Sequence, residues 1–297
     1  MLRTDATLEV FSCTYPMRHF GIIANPVEHS ISPRVYTEAF KKYEINADFE
    51  PNQLDSTGDV EAFLTEMRGG AYDGLAVSHP FKEMCIELVD DIDPVAREIG
   101  AVNTIVRREK KLIGYNTDWR GVERASGVAL EQNRKKITTL KWKKIVLLGA
   151  GGVARAAAYV FQREGAHVFL VNRTAEKGRE IAEKFGCEFV GDASRVSEGL
   201  DSYDIIFQAT SVGMSSGGGG ALNGISPDTS PLPITFWENH GNGIAIESIY
   251  HPHMTRFLRE AERAGWDIVT GNHLFAGQWE EQFRLFTGIS TDFSDIS

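Results

Sequence analysis

The stretch "KIVLLGAGGVARAAA", Lys144–Ala158, limits the folds open to this chain more than any other feature. A glycine-rich turn follows the apolar run KIVLL, and it consists of Gly149, Ala150, Gly151, Gly152, Val153 and Ala154. This is a GxGxxA pattern between a strand-like and a helix-like segment. The first glycine makes the turn, the second lets the backbone approach a pyrophosphate, and the final small residue permits close helix packing. The sequence therefore predicts a dinucleotide-binding domain.

The end of the next apolar run, VFLVNRT, indicates which dinucleotide this turn would hold. NAD-selective folds place an acid there to bind the ribose 2′-hydroxyl, whereas this chain has Asn172, Arg173 and Thr174. An arginine at this point can pair with a 2′-phosphate, which favours NADP. The alternative is a solvated arginine at the end of a strand, with no part in binding.

Alternating strand-like and helix-like patterns extend on both sides of the turn. Before it, HFGIIA, ADFEPNQL and YDGLAVS favour strands, and PRVYTEAFKKY and DVEAFLTEMRGG favour helices. After it, HVFLVN and YDIIFQAT favour strands on either side of the helix-like AEKGREIAEKFG. The polar, basic segment EQNRKKITTLKWKK separates the two series. We therefore predict an α/β protein of two domains, each built on a mostly parallel sheet.

The amino-acid composition limits the class of protein and the kinds of partner that it could bind. A chain of 297 residues with 42% hydrophobic and 24% charged residues suits a two-domain globular enzyme. Its net charge of −10 argues against nucleic acid and acidic membrane surfaces as partners. Cys13, Cys85 and Cys187 form no CxxC pattern, so we expect neither disulfides nor a bound metal. The sequence shows no signal-peptide pattern and no long apolar run, so we expect a cytoplasmic protein.

Polar side chains that could form a substrate site gather in the first series. Ser30 and Ser32 stand before a helix start, where two hydroxyls suit a carboxylate ligand, although Ser32 could also cap the helix. We expect Lys82 about one turn into the helix after YDGLAVS, near the positive end of its dipole, which suits proton transfer. A solvated lysine is the alternative. Asp118 could simply cap a helix, and Asn103 could simply satisfy loop backbone.

Two segments late in the chain have distinctive compositions. The segment SSGGGGALNG, Ser215–Gly224, contains four consecutive glycines, and the cost of ordering them predicts a mobile loop. Helical spacing near the C-terminus predicts a helix with an apolar, core-facing side, formed by Leu274, Phe275, Trp279, Phe283 and Phe286.

Short motifs in a fixed order carry a resemblance to a known family. They are HSISP, VSHPFKE, IGAVNT, IGYNTDWRG, GAGGVARA, VNRT, ATSVGM, IYHPHMT and GNHLFAGQ. With this set the chain resembles the shikimate dehydrogenases from about His19 to Gly288. It is also similar to the dehydrogenase portion of the fused dehydratase–dehydrogenase enzymes.

The resemblance implies a domain organisation and an activity. Residues 19–120 and 275–297 would form the substrate-binding catalytic domain, and residues 121–274 a Rossmann NADP-binding domain. The C-terminal helix would return to the first domain, and residues 1–18 would be an extension or linker. The implied activity is the NADP-dependent, reversible reduction of 3-dehydroshikimate to shikimate in aromatic amino acid biosynthesis. The protein would act on this small molecule as a monomer or homodimer.

The resemblance also implies which residues bind substrate and cofactor. The substrate would lie in the cleft between the domains, with Lys82 and Asp118 as the catalytic pair. The substrate-binding residues would be Ser30, Ser32, Ser78, Asn103, Asp118, Tyr250 and Gln278. The cofactor-binding residues would be Gly149, Ala150, Gly151, Gly152, Val153, Ala154, Asn172, Arg173, Thr174, Ala209, Thr210, Ser211, Met214 and Gly271.

Some positions depart from the family pattern. The usual NVTxPxK appears as AVSHPFK, so the asparagine is lost and Ser78 replaces the threonine. Glu247 stands where the family usually has an aspartate. These changes bear on the substrate more than on the chemistry. Three alternatives stay open: a quinate/shikimate dehydrogenase using NAD, a catalytically silent ligand sensor, and another hydroxy-acid enzyme of the same architecture.

Overall fold

A mixed six-stranded sheet forms the framework of the first domain in the computed structural model, which describes residues 16–28, 30–199, 202–215 and 224–296. Its strands are β1 (Arg18–Ala24), β2 (Ala47–Gln53), β3 (Gly74–Val77), β4 (Asp91–Ile92), β5 (Thr104–Arg108) and β6 (Lys111–Tyr115). Their order is β2-β1-β3-β5-β6-β4. Strand β1 is parallel to β2 and β3, whereas β5 is antiparallel to β3 and β6. The parallel part is the part that the sequence predicted.

A wholly parallel six-stranded sheet forms the second domain. Its strands are β7 (Lys144–Leu148), β8 (His167–Val171), β9 (Glu188–Gly191), β10 (Ile205–Gln208), β11 (Ile244–Glu247) and β12 (Asp267–Val269). The order β9-β8-β7-β10-β11-β12 is that of a Rossmann domain, and it confirms the predicted fold class. The strand order reverses between β7 and β10, so a ligand is expected at the carboxyl ends of these two strands.

Helices cover both sheets and bury their apolar faces against them. The helices that precede β7 are α1 (Ser32–Lys42), α2 (Thr57–Gly69), α3 (Cys85–Leu88), α4 (Pro94–Ile99) and α5 (Asp118–Gln132). Those that follow it are α6 (Gly152–Arg163), α7 (Ala175–Phe185), α8 (Ala193–Gly199), α9 (Ile234–Asn239), α10 (Arg256–Arg263) and α11 (Gly271–Thr287), with a 3-10 helix at Phe293–Asp295. Four buried clusters result: two lie in the first domain, one lies in the second, and one joins the second sheet to Ile99 and Ala101 of the first domain. The described helices include none long and apolar enough to cross a membrane.

The C-terminal helix α11 returns to the first domain, as predicted. Its aromatic side chains pack with Phe20 of β1 and Tyr36 of α1 in one buried cluster, and they are Phe275, Trp279, Phe283 and Phe286. Helix α11 also crosses α5 very closely. A Cβ on Gly121 would lie 2.4 Å from the backbone oxygen of Leu274, so this crossing requires glycine. The chain thus passes between the domains through two helices in tight contact.

The polar segment predicted to separate the domains is partly helical and fixed to the second sheet. Helix α5 continues to Gln132, and Arg134 then bonds both backbone and side chain to Asp267 of β12, with Nε 2.5 Å from Oδ1. The predicted border at residues 120 and 121 falls inside α5 and stays a prediction.

Several predictions concern residues at the margins of the described chain. Residues 1–15, which include Cys13, and most of the predicted glycine-rich loop, residues 216–223, lie outside the described residues.

Burial raises the pKa of the Cys85 thiol to about 12 and that of Cys187 to about 11, so both thiols stay protonated at neutral pH. Within the described ranges, no group of His, Cys, Asp and Glu residues could hold a metal ion.

Candidate active site

A lysine, a carboxylate and an amide form one hydrogen-bonded cluster between the two sheets. Lys82 Nζ donates to Asp118 Oδ2 at 2.7 Å, and Asn103 Nδ2 donates to Asp118 Oδ1 at 2.9 Å. The Asp118 side chain is 3% exposed and that of Lys82 is 16% exposed, so water screens their attraction only weakly. The predicted lysine–aspartate pair is therefore in contact, and the carboxylate is held from two sides.

Lys82 lies in a turn rather than one turn into a helix, so that prediction is wrong. The turn is closed by Phe81 N donating to Ser78 O at 2.9 Å. Val102 N donates to the carbonyl of Lys82 at 2.8 Å, so this carbonyl bonds to a neighbouring segment instead of continuing a helix. Helix α3 begins only at Cys85 and has four residues. The helix dipole invoked for the lysine is therefore absent, and Asp118 is its main electrostatic partner.

Thr117, which sequence analysis did not identify, makes further hydrogen bonds with Asn103. It is fully buried, and its backbone N donates to Asn103 Oδ1 at 2.7 Å while its Oγ1 accepts from Asn103 Nδ2 at 2.9 Å. Thr117 also occupies the N-cap position of α5, so Asp118 is the first residue of the helix and not its cap. The paired Asn-Thr dipeptides of the sequence, at 103–104 and 116–117, were the available signal.

Ser30, Ser32 and Tyr250 form a second polar corner at the start of α1. Ser30 Oγ accepts from Ser32 N at 3.3 Å, while Ile31, not Ser32, occupies the N-cap position without a side-chain cap bond. The expected capping role of Ser32 is therefore wrong, because the residue already belongs to the helix. Burial raises the pKa of Tyr250 to about 12, while Ser30 and the backbone of Ile31, within hydrogen-bonding reach, act in the opposite direction. Tyr250 is thus a neutral hydrogen-bond donor at neutral pH.

Gln278 and Ser78 are the remaining residues predicted to meet a substrate. Gln278, on α11, is half-buried, and its Oε1 accepts from Asn103 Nδ2 at 3.2 Å. Ser78 follows β3 directly and is also half-buried. The structure therefore brings Gln278 into contact with the Asn103 and Asp118 cluster, and Ser78 stands at the start of the turn that carries Lys82.

The nucleotide-binding domain contacts the lysine-bearing turn directly. A Cβ on Gly152 would lie 2.8 Å from Lys82 Cδ, so the aliphatic stem of the lysine rests on this glycine. Beside it, Arg155 of α6 pairs with Glu83 at 3.4 Å and with Glu180 of α7 at 2.6 Å. The Arg155 side chain is 6% exposed and that of Glu83 is 37% exposed, so only the arginine of this ion pair between the domains is shielded from water. The sequence did not indicate Arg155 or Glu83.

The glycine-rich turn has the geometry that a pyrophosphate requires. Gly149 has φ +114°, and a Cβ there would lie 3.0 Å from the backbone oxygen of Ala209, so only glycine fits. Nothing lies within 4 Å of the position that a Cβ on Gly151 would take, so the turn faces open space. Helix α6 begins at Gly152 without a side-chain cap, and its first N–H groups are free to bind an anion. These residues fit the phosphates of a dinucleotide.

A basic groove lies past the end of β8. It has a volume of about 520 Å³, and its lining includes Asn172, Arg173, Arg179 and Arg195, with Asp192 as the one acid among its lining residues. Asp192 is held locally, because its carboxylate accepts from the backbone N of Ser194 at 3.0 Å. The exposed Arg173 therefore stands in a groove of positive character, which suits a 2′-phosphate.

The loop after β10 is shaped by a glutamine that the sequence did not indicate. Gln208 is fully buried, and its side chain accepts from Thr210 N and donates to the oxygen of Val212, both at 2.9 Å. This pairing curls the segment that contains the predicted cofactor-binding residues Ala209, Thr210, Ser211 and Met214. Ala209 N in turn bonds to Leu148 O at 2.9 Å, which sets the loop beside the glycine-rich turn.

The turn after β11 is built on a buried glutamate side chain. Glu247 Oε1 accepts from Ser248 N at 2.8 Å and from Ile249 N at 3.0 Å, and Oε2 accepts from Thr255 Oγ1 at 2.8 Å. Burial raises the pKa of Glu247 to about 8. A Cβ on Gly271 would lie 2.2 Å from Ile249 O, so close packing against this turn explains the glycine. Glu247 thereby fixes the segment that ends at Tyr250.

Comparisons with known proteins agree with this geometry. A family model of the shikimate dehydrogenase substrate binding domain matches residues 22–105, and one of shikimate / quinate 5-dehydrogenase matches residues 131–215. A shikimate dehydrogenase (NADP(+)) from Syntrophobacter fumaroxidans is 36% identical over 89% of this chain and 85% of its own length. The chain belongs to the shikimate dehydrogenase family.

Two further members of the family bear on its organisation. The bifunctional 3-dehydroquinate dehydratase/shikimate dehydrogenase of Arabidopsis thaliana is 34% identical over 91% of this chain, which spans only 44% of that longer protein. The crystal structure of shikimate 5-dehydrogenase from Thermus thermophilus, in complex with NADP(H) and shikimate, has a TM-score of 0.78 and 31% sequence identity. It covers 94% of this chain and 97% of its own. The predicted family resemblance is confirmed.

Proposed function

We propose that this chain reduces 3-dehydroshikimate reversibly to shikimate with NADPH, a step of aromatic amino acid biosynthesis. The observation that carries the proposal is the buried Lys82–Asp118 pair, bonded to Asn103 and packed against the glycine-rich turn. Reduction of a ketone needs a proton donor beside the hydride donor, and a fixed carboxylate and an amide can hold the hydroxyls of the ring. The NADP(+)-dependent relative and the complex with NADP(H) and shikimate support the same substrate and cofactor.

The polar cluster can perform the proton chemistry of this reaction. NADPH, when bound, supplies the hydride that reduces the ketone carbon. Lys82 donates its proton to the ketone oxygen as negative charge develops there, and its position beside that oxygen stabilises the charge. Asp118 orients Lys82 and accepts from a ring hydroxyl, to which Asn103 donates. In the oxidative direction Lys82 takes the proton back from the hydroxyl.

The second polar corner supports binding of the substrate carboxylate. Ser30, Ser32 and the neutral Tyr250 offer hydroxyl donors at the start of α1, and ionised oxygens bind such donors well. Gln278, which contacts Asn103, and Ser78, at the start of the turn that carries Lys82, would hold the other ring hydroxyls. A site that pairs several hydroxyls in this way discriminates against analogues that lack them, because its own polar groups would be left unpaired.

The basic groove supports NADP over NAD. Arg173 stands in the predicted position for a 2′-phosphate, and the arginines around the groove would strengthen its attraction for that charge. The NAD-dependent quinate alternative lacks a comparable observation in its favour. The silent-sensor alternative is disfavoured because the lysine–aspartate pair is intact. A cytoplasmic location, a monomeric or dimeric state and the individual residue roles remain predictions.

One assay tests the proposal directly. Shikimate and quinate are each offered with NADP and with NAD, and reduction of the cofactor is followed by its absorbance. We expect the highest kcat/KM for shikimate with NADP. Turnover of quinate with NAD at a higher kcat/KM would favour the rival, and binding of shikimate without any turnover would favour the sensor.

A further inference from the structure

A chain of buried hydrogen bonds leads from the core of the first domain to the catalytic pair. Gln282, on α11, is 2% exposed, and its Nε2 donates to Thr104 Oγ1 at 2.7 Å and to the backbone oxygen of Asn103 at 3.1 Å. Its Oε1 accepts from Tyr36 Oη at 2.9 Å. Burial raises the pKa of Tyr36 well above its usual value, so this hydroxyl keeps its proton. All hydrogen-bonding groups of the Gln282 amide are thus engaged.

The direction of each bond in this chain follows from chemistry. A backbone carbonyl only accepts, so Gln282 must turn Nε2 towards Asn103 O and Oε1 towards Tyr36. Because Gln282 donates to Thr104 Oγ1, the Thr104 hydroxyl is free to donate to Asn103 Oδ1, 2.8 Å away. Thr117 N, which can only donate, gives Asn103 Oδ1 its second hydrogen bond.

The orientation of the Asn103 amide is therefore set by its hydrogen bonds to Thr104 and Thr117. Its oxygen has both lone pairs occupied by Thr104 and Thr117, and its nitrogen faces three acceptors, which are Asp118 Oδ1, Gln278 Oε1 and Thr117 Oγ1. Towards a ligand this amide can only donate, whereas the adjacent Asp118 carboxylate can only accept. A group that meets both has to accept one hydrogen bond and donate another, which a hydroxyl does and a ketone or carboxylate does not.

We propose that Gln282 is a positioning residue of this site. Acting through Thr104, it fixes the orientation of the Asn103 amide and so the selection of a ring hydroxyl between Asn103 and Asp118. The identity of that ligand rests on the proposed function, whereas the amide orientation is a property of the free protein.

The test compares two variants that break the same buried bond. Gln282→Met removes the contacts to Thr104 and Asn103 together with the bond to Tyr36, whereas Tyr36→Phe removes only the last. Gln282→Met should lower kcat/KM for shikimate about three- to tenfold, as expected for the loss of one hydrogen bond, without changing KM for NADP. Tyr36→Phe should stay within about twofold of wild type, because the donors to Thr104 and Asn103 remain.

A second readout does not depend on turnover. The side-chain amide resonances of Asn103, measured by NMR on the free protein, should shift in Gln282→Met and stay unchanged in Tyr36→Phe. Equal kinetic losses in the two variants, or unchanged Asn103 resonances in Gln282→Met, would overturn the positioning role. A wild-type protein inactive towards shikimate would overturn the proposed function, while the resonances would still decide the role of Gln282.

Thr104 provides the same test if Gln282→Met fails to fold. Thr104→Val keeps the shape and removes the hydroxyl that donates to Asn103 Oδ1, so it should reproduce the loss in kcat/KM. Thr104→Ser keeps that hydroxyl and should retain wild-type kinetics. A Thr104→Val variant with wild-type kinetics and unchanged Asn103 resonances would contradict the proposal.

Discussion

Replacing Lys82 with methionine separates the chemical role of this residue from its structural role. Methionine keeps an unbranched apolar stem of similar length, which can still rest on Gly152, and it removes only the ammonium group. The variant therefore loses the proton donor without opening a large cavity at the contact between the domains. Turnover should fall by about 10² to 10⁴, the usual contribution of a positioned acid or base, with a small change in shikimate affinity.

The same substitution should also cost stability, because it leaves Asp118 without its cation. Two charges 2.7 Å apart interact by about 6 kcal/mol at an effective dielectric constant of about 20. Removal of Lys82 also removes the cost of burying its charge, so the net loss is smaller. The lysine is 16% exposed, which points to the low end of the range for broken buried pairs, about 3 kcal/mol. The melting temperature should fall by roughly 6 to 10 °C.

Combining Lys82→Met with Asp118→Asn distinguishes the two effects. The double variant contains no unpaired charge, and the amide oxygen introduced at position 118 could still accept from Asn103, so most of the lost stability should return. Turnover should stay as low as in Lys82→Met, because the two residues act as a unit. Thermal melting and shikimate oxidation are measured on the same preparations. Near wild-type turnover in Lys82→Met, or recovery of turnover together with stability, would refute the catalytic pair.

Three further substitutions test the cofactor, the carboxylate corner and the buried glutamate. Arg173→Ala should raise KM for NADP about tenfold or more and leave KM for NAD nearly unchanged in steady-state assays, because only NADP carries the 2′-phosphate. Equal effects on both cofactors would exclude that role. Ser30→Ala should weaken shikimate binding by about 1 to 3 kcal/mol in calorimetry, because a charged group loses a donor. Loss of stability at unchanged affinity would assign this hydroxyl to the helix start instead. Glu247→Gln should flatten the pH dependence of melting. Burial raises the pKa of Glu247 from 4.5 to about 8, so the wild type keeps this contribution below pH 4.5 and loses it as the pH rises towards 8. Parallel melting profiles for the two proteins would contradict this account.

The parts of the fold that the sequence predicted are those set by local pattern. The strand, glycine turn and helix around Gly149 follow one another in the chain, so hydrophobic periodicity and turn chemistry are sufficient to recognise them. The antiparallel hairpin of β5 and β6 was not predicted, although its strands are adjacent in the sequence. Its position between β3 and β4 depends on pairing with distant strands, and residue pattern alone does not encode which strands pair.

The contact between Lys82 and Asp118 in the candidate site was predicted from the family motifs, whereas the contacts that distant residues make with these motifs were not predicted. Lys82 was placed in a helix because a strand followed by amphipathic residues usually leads to one. The hydrogen bond from Val102 N to the Lys82 carbonyl takes the place of a helical bond there, and it joins two separate motifs. The sequence did not indicate a role for Gln282 either, because a glutamine on an amphipathic helix is commonly solvated. Only the packing of α11 against β5 turns it towards Thr104.

Gly152 shows how the two domains depend on one another at the site. In the GxGxxA pattern the required positions are Gly149, Gly151 and Ala154, and any residue is acceptable at position 152. The structure supplies a different reason for glycine there, because the stem of Lys82 occupies the space that a side chain would need. Position 152 is also the first residue of α6, the helix whose N-terminus would face the phosphates of the proposed cofactor. A side chain at 152 would therefore displace the proton donor from Asp118 and disturb the phosphate site together, so the glycine couples the placement of Lys82 to that of the cofactor.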